Sequence, residues 1–326
     1  MRITNQTLSE NFLYGLNNLQ TQMSQYLQQL STGQRISTPS QHPLGAQQVL
    51  NYQSILTRLK SFQTNATDGN AWLDTTQSAL QSASSVLQSA YQLAVQATGG
   101  TVNSTDLTAI SQQVNSLINQ LVQVANTNNG NAYVFAGYQI TQAPFTATKA
   151  ANGMITGVTY NGDTGTIQRD VGPAAMLTVN LPGSQVFGSG AVTNPATNPV
   201  TVTGSGVFHD LLAFSQDLQN AATPPIGTTA STWLSDISNT DLANLSGDVA
   251  QISAFTSQTG ARMQRLQTTQ NGLTAFQNSV TGFLGQVQDV NMAQAMTQFT
   301  SIQTAYQASL EAGAKMIPPT LFNYLG

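Results

Sequence analysis

The chain has 326 residues, with nine Lys or Arg, thirteen Asp or Glu, two His and no Cys; only 7% of its residues are charged. A net charge of -4 leaves no basic footprint for nucleic acid. The lack of Cys removes thiolate chemistry and Cys-based metal sites, and two isolated His leave little for general-base catalysis. The apolar fraction of 40% is ordinary, so charge has been replaced by Gln, Asn, Ser and Thr, and charge-driven disorder is not expected.

The first element is a helix. Phe12, Leu16, Leu19, Met23, Tyr26 and Leu30 follow one another at steps of 4, 3, 4, 3 and 4, one seam at a period of 3.5. Ser31-Thr32-Gly33 stops it, and Pro39 and Pro43 make residues 34–43 an extended linker. A second seam, Val49, Tyr52, Leu56 and Leu59, weakens at Gln63 and Asn70 and resumes at Leu73, Leu80, Leu87 and Tyr91. No Pro interrupts residues 44–99. One long helix is therefore expected, with a kink at Asp68-Gly69-Asn70 and an end at Gly99-Gly100. Thr105-Asp106 is expected to cap a third helix with Leu107, Ile110, Val114, Leu117, Leu121 and Val124 on one face.

The period then changes. Residues 132–138, 155–160, 165–171 and 176–181 read as strands, with Asn161-Gly162-Asp163 as the turn between the second and third. Gly and Pro are dense from 153 to 206, which marks a small β module. Phe208, Leu211, Leu212 and Leu218 restart a helix that Pro224-Pro225 ends. Leu242, Leu245, Val249, Ile252, Met263, Leu266, Leu273, Val280, Leu284 and Val287 share a 3,4 register. Residues 289–291 break its phase. Ala295, Phe299, Ile302, Tyr306 and Leu310 form a last seam, and Pro318-Pro319 stops it before an apolar tail at 321–326. The first seven residues lack the apolar region of a Sec signal, and no apolar run approaches the ~20 residues that span a bilayer.

The expected fold is mainly α with a small β module (α+β): a long coiled-coil helix bundle built from both chain ends, rod-shaped, with a central β domain inserted. Residues 1–42 and 289–326 are terminal helices forming an inner coiled-coil domain, expected to be disordered in the monomer. Residues 43–144 and 208–288 make a long-helix rod, and residues 145–207 the inserted β domain.

The chemistry-bearing residues form no catalytic constellation. His42 lies in a linker, His209 starts a helix, and the carboxylates are scattered singly. Gly204-Ser205-Gly206 lacks the downstream residues of a phosphate loop. Asp163 and Asp170 read as turn and strand-end residues rather than a Ca²⁺ pair. No catalytic residue, cofactor or metal is expected, and the chain reads as no enzyme. The terminal seams differ. A Pro pair or a phase break cuts each from the body, and helices this short are marginal alone. Their stripes need partners, namely each other and the same segments of neighbouring subunits. The candidate assembly residues are Phe12, Leu16, Leu19, Met23, Tyr26 and Leu30, with Phe299, Ile302, Tyr306 and Leu310.

Several motifs in order carry a resemblance. Leu30-Ser31-Thr32-Gly33-Gln34-Arg35-Ile36 with Pro39-Ser40 and Pro43-Leu44-Gly45-Ala46 comes first, then Ala125-Asn126-Thr127 with Gly130, Val134-Phe135-Ala136-Gly137-Tyr138 and Pro144-Phe145. Tyr160-Asn161-Gly162-Asp163, Val179-Asn180-Leu181-Pro182-Gly183, Gly260-Ala261-Arg262 and Thr320-Leu321-Phe322-Asn323-Tyr324-Leu325 follow. Together they resemble the bacterial flagellin superfamily, and within it the hook-associated branch that joins hook to filament. The resemblance departs at Gln41-His42, where that family usually carries acidic residues.

What the resemblance implies is a structural part of the flagellum, extracellular, exported through the flagellar type III apparatus. Its implied partners are the first hook–filament junction protein, flagellin, further copies in a ring of subunits, and a cytoplasmic export chaperone on the C-terminal region, with no nucleic acid and no membrane. A filament flagellin, or a surface adhesin carried by residues 141–206, are the alternatives. Low charge suits a polymer interface, where Gln, Ser and Thr bond across contacts without desolvating an ion. It also suits surroundings of extreme or variable pH, in which few groups titrate.

Overall fold

The computed structural model describes residues 5–36, 38–40, 42–100, 102–193 and 201–316. In chain order the elements are α1 (Asn5–Thr32), α2 (Pro43–Ala97), α3 (Ser104–Ala125), β1 (Asn128–Asn129), β2 (Ala132–Tyr133), β3 (Phe145–Lys149), β4 (Ile155–Tyr160), β5 (Gln168–Gly172), β6 (Ala175–Thr178), α4 (Gly183–Val186), β7 (Ser189–Thr193), β8 (Thr201–Ser205), α5 (Val207–Ala222), α6 (Ala230–Asp236), a π-helical turn (Ile237–Asp241), α7 (Leu242–Gln288) and α8 (Met292–Met316). The fold is long terminal helices around a small central β region, as the periodicity indicates. It divides into two compact units, Met1–Leu59 with Thr274–Gly326, and Lys60–Leu273. No helix among the described residues is long and apolar enough to cross a membrane. The Pro318-Pro319 stop and the apolar tail lie outside the described residues.

In the second unit α2 runs unbroken through Asp68-Gly69-Asn70, one long helix as the lack of Pro indicates. The glycine there serves close approach. A Cβ on Gly69 would stand 3.0 Å from Val179 Cγ1 and 3.4 Å from Leu266 Cδ1. These belong to a small core of Ala66, Leu73, Val171, Leu177, Val179 and Leu266. The cap of α3 also sits earlier than Thr105-Asp106. Asn103 Oδ1 accepts from the Thr105 and Asp106 amides at 2.8 and 3.0 Å, and Asp106 Oδ2 accepts from the Asn103 amide at 3.2 Å, closing a reciprocal capping box.

The β region departs most from expectation. Of residues 132–138 only Ala132–Tyr133 is a strand, paired with β1. The chain cannot continue as a ladder because its carbonyls are taken by distant donors. Phe135 O accepts from the Gly183 amide at 2.7 Å and from Tyr160 Oη at 2.9 Å, and Ala136 O accepts from the Asp163 amide at 3.2 Å. Gly137 then turns back at φ +71°. Asn161-Gly162-Asp163 joins no hairpin. β4 pairs with β3 and β7, in a four-stranded antiparallel sheet of order β3-β4-β7-β8, while β5 pairs with β6. Asp163 Oδ1 instead accepts from the amides of Tyr138 (2.8 Å) and Gly165 (2.7 Å). Strands β3, β7 and β8 have no forerunner in the sequence reading.

Two further motifs meet the same way. Asn180 bonds to the Ile167 amide and Gly165 carbonyl, and Arg262 Nη1 donates to Asn180 O at 3.0 Å. Burial pushes the Arg262 guanidinium down and the Tyr160 phenol up from their ordinary values.

The main core joins α2, α3, α5, α6 and α7 to the sheet. At its centre Phe187 lies against Phe135, Phe145 and Phe208, with ring centroids 5.0, 5.7 and 5.9 Å away. The last helical third begins at Ala230 rather than Leu242, because α6 passes through the π turn into α7. Phe187→Ala should cost about 3–5 kcal/mol, read as a lowered urea midpoint by circular dichroism. Met176→Ala, at a side chain 65% exposed, should stay within about 0.5 kcal/mol.

Candidate assembly interface

The site lies in the first unit, where α1 and α8 pack along one another. Their apolar spacing determines which faces meet. Phe12, Leu16, Leu19, Met23, Tyr26 and Leu30 are all half-buried. Of the other described α1 residues from 7 to 30, only Gln22 and Gln29 are not exposed. On α8, Ala295 and Ile302 are buried and Phe299 and Tyr306 half-buried. Leu310 departs from this face and is 46% exposed. The 3.5-residue register steps from Tyr306 to Ser309 and then to Gly313, and both of those turn inward. Gly313 makes room for the Phe12 ring, since a Cβ there would come within 2.7 Å of it.

The helices are antiparallel, because the linkers at their near ends are stitched together. Gly33, at φ +71°, closes α1 with its amide on Gln29 O at 2.8 Å. Its own carbonyl accepts from the Val290 amide at 3.0 Å, and Gln34 pairs with Asp289 as an isolated antiparallel bridge. Arg35 completes the stitch. Its amide donates to Gln288 O at 2.7 Å and its Nη2 to Val287 O at 2.9 Å, so a cation and two donors meet the free carbonyls at the end of α7. Asn291 Oδ1 then accepts from the Gln294 amide at 3.1 Å and caps α8. Ile36 is buried and presses on Gly45, and α2 starts at Pro43. Residues 34–43 and 289–291 read separately as linker and phase break; the bonds between them had no sequence signal.

A second apolar line stays open beside the seam. Leu13 and Leu27 on α1 are 53% and 57% exposed, and Met296 on α8 is 56% exposed. Leu13 and Leu27 are fourteen residues apart with Gln20 between them; Met296 and Leu310 repeat that spacing around Gln303.

Residues 3–140 match the bacterial flagellin N-terminal helical region, and residues 242–325 match the bacterial flagellin C-terminal helical region. The chain belongs to the bacterial flagellin superfamily. Among its relatives, flagellar hook-associated protein 3 of Escherichia coli K12 is 25% identical over 329 residues, covering 99% of each chain. Flagellin of Bacillus subtilis 168 is 26% identical over 321 residues, covering 95% of this chain and 94% of that one. A crystal structure of flagellar hook-associated protein 3 from Legionella pneumophila shares the fold. Its TM-score is 0.58 at 18% identity, over 73% of this chain and 98% of that one. Within this member of the flagellin superfamily the first motif acquires a physical meaning. Ser31-Thr32-Gly33-Gln34-Arg35-Ile36 is the stop of α1, the stitch to α7 and the buried plug on Gly45.

Two glycine substitutions separate seam packing from helix propensity. Gly313→Ala should push Phe12 out of the seam and speed proteolysis of α1 and α8 together. Gly15→Ala, with open space around its Cβ position, should strengthen α1 by about 0.5–1 kcal/mol and slow the same cleavage.

Proposed function

We propose that this chain is a structural, non-enzymatic subunit of the bacterial flagellum, an adaptor at the hook–filament junction on which flagellin assembles. The end-to-end alignment with flagellar hook-associated protein 3, β region included, carries the reading. The near-full-length alignment with Bacillus subtilis flagellin favours a second reading, a filament subunit. The insert motifs Tyr160-Asn161-Gly162-Asp163 and Val179-Asn180-Leu181-Pro182-Gly183 favour the first.

In this role the chain leaves the cell through the flagellar type III apparatus, with an export chaperone on its C-terminal region. It then sits in a ring of copies between the first junction protein and flagellin. Residues 1–42 and 289–326 line the interior of the assembly, 43–144 and 208–288 form its wall, and 145–207 face solvent. The seam residues and the open line Leu13, Leu27, Met296 and Leu310 meet neighbouring copies. Full burial of each such side chain contributes about 1.5–3 kcal/mol, so a few contacts repeated around a ring suffice to hold it.

Deleting the gene should leave hooks that shed flagellin monomer into the medium, and antibody to residues 145–207 should mark one band between hook and filament. Decoration along the whole filament overturns the junction reading in favour of the filament one. Leu27→Asp with Leu310→Asp should leave the circular dichroism of the isolated chain unchanged and fail to complement the deletion.

A further inference from the structure

We infer that, where α5 meets the π turn and the start of α7, the folded chain stores one proton in each of two buried carboxyl pairs, Asp217 with Asp241 and Asp210 with Asp248, making this junction a pH-sensitive lock that is closed in acid and loosens above neutrality.

The geometry comes first. Asp210 and Asp217 are seven residues apart on α5, two turns along one face. Asp241 ends the π turn and Asp248 follows it by seven residues, again two turns along one face. The side chains of Asp217 and Asp241 lie within reach of each other, as do those of Asp210 and Asp248. Two carboxylates are both acceptors, so a hydrogen bond within either pair requires a proton on one partner. Asp241 and Asp248 are only 2% and 4% exposed, and the Oδ2 atom of each is buried without a donor. Leaving a buried, charged acceptor in that state is costly; a shared proton removes the cost. The π turn supports the assignment, being a rare form that concentrates at functional positions.

Among the described residues no Lys or Arg is ion-paired with these carboxyls. No Lys or Arg occurs between Arg169 and Arg262. The groups around the pairs are Asp236 at the end of α6 and His209, whose Nδ1 lies 2.7 Å from Asp210 Oδ1. Asn244 Nδ2 also reaches Asp210 Oδ1, at 3.5 Å. Among the elements packed on α5, α3 carries Asp106 as its one charged residue, used in its own cap, and β7 and β8 carry none. Tyr160 of β4 is bonded to Phe135 and Asp163. Among the described residues no group of three or more His, Cys, Asp or Glu is arranged to hold a metal ion. The more deeply buried member of each pair, Asp248 in one and Asp241 in the other, carries the proton.

Burial, and then the neighbouring carboxyls, push Asp241 up to about 8 and Asp217 and Asp248 up to about 7. An unfolded Asp releases its proton near 3.9. The folded chain therefore binds more protons than the unfolded one between about pH 4 and pH 8. The stabilising contribution is full below that window, falls progressively as pH rises across it, and is lost by about pH 8, where each folded pair has released its proton to solvent.

The test uses the full chain with Trp72→Phe, so that Trp233 of α6, buried beside this junction, is the only tryptophan reporter. Urea unfolding followed by its fluorescence should show an unfolding constant that rises about tenfold to a hundredfold per pH unit between pH 5 and 7, one factor of ten for each stored proton. Asp241→Asn with Asp248→Asn, which supplies permanent donors, should flatten that slope. A flat profile in the parent chain, or an unchanged slope in the double variant, overturns the inference. Should the double variant not fold, carboxyl carbon NMR of the unsubstituted chain decides. At least two Asp resonances titrating above pH 6.5 support the lock, and all Asp titrating below pH 5 refutes it.

Discussion

Two helices lying side by side can each turn only part of an apolar stripe away from water. That constraint organises the first unit. The six seam residues of α1 all stop at half burial, although their spacing is regular and α8 runs opposite them. Among the described elements α8 is the main partner of α1, and the remainder of the stripe stays open. The stitch through Gly33, Gln34 and Arg35 holds the two helices in register, but it adds backbone bonds and no apolar cover. A pair held in register with half its stripe exposed leaves the apolar surface that the proposed contacts between copies would cover.

The low charge acquires a local explanation in the hydroxyl groups. Along α2, the side chains of Thr75, Ser78, Ser82, Ser85 and Ser89 donate to the carbonyl four residues back. Ser253, Thr256, Ser257 and Thr259 do the same on α7, and Thr297, Thr300, Thr304 and Ser309 on α8. A hydroxyl bonded to its own helix needs no water and no partner across a contact. Such a surface is polar enough to dissolve and can still be covered without the penalty of burying an ion or an unpaired donor. Cross-contact hydrogen bonds, the use first suggested by the composition, are thus not required of these hydroxyls.

How much of this could be read from the sequence followed the range of the forces involved. The seams and their breakers were legible because helix periodicity and Pro or Gly stops act within a few residues. Leu310 lies off the half-buried face of α8, where Ser309 and Gly313 turn toward α1 and Gly313 makes room for Phe12; a step of four and a step of three are equally regular on paper. The strand expected at 132–138 was lost to side chains some 25 to 50 residues downstream, Tyr160, Asp163 and Gly183, whose donors no local pattern reveals. The carboxyl pairs looked like single, scattered acids. Their signal was present in the two seven-residue intervals, 210 to 217 and 241 to 248, but it becomes meaningful only when α5 and α7 are known to face each other.

The two units then divide the effects of pH between them. On α1 and α8 the described Asp, Glu, Lys and Arg side chains are few and lie off the seam. Apolar contact between copies through these helices therefore has little in it to titrate. In the second unit five Asp and one His gather around α5, α6, the π turn and the start of α7, within a stretch of sequence, 170–261, that holds no Lys or Arg. The coupling between proton binding and stability is concentrated there, because desolvation acts on acids with which no described Lys or Arg is ion-paired. A chain with so few charges has not escaped electrostatics; the acids that burial raises lie in the second unit, and none of them is on α1 or α8.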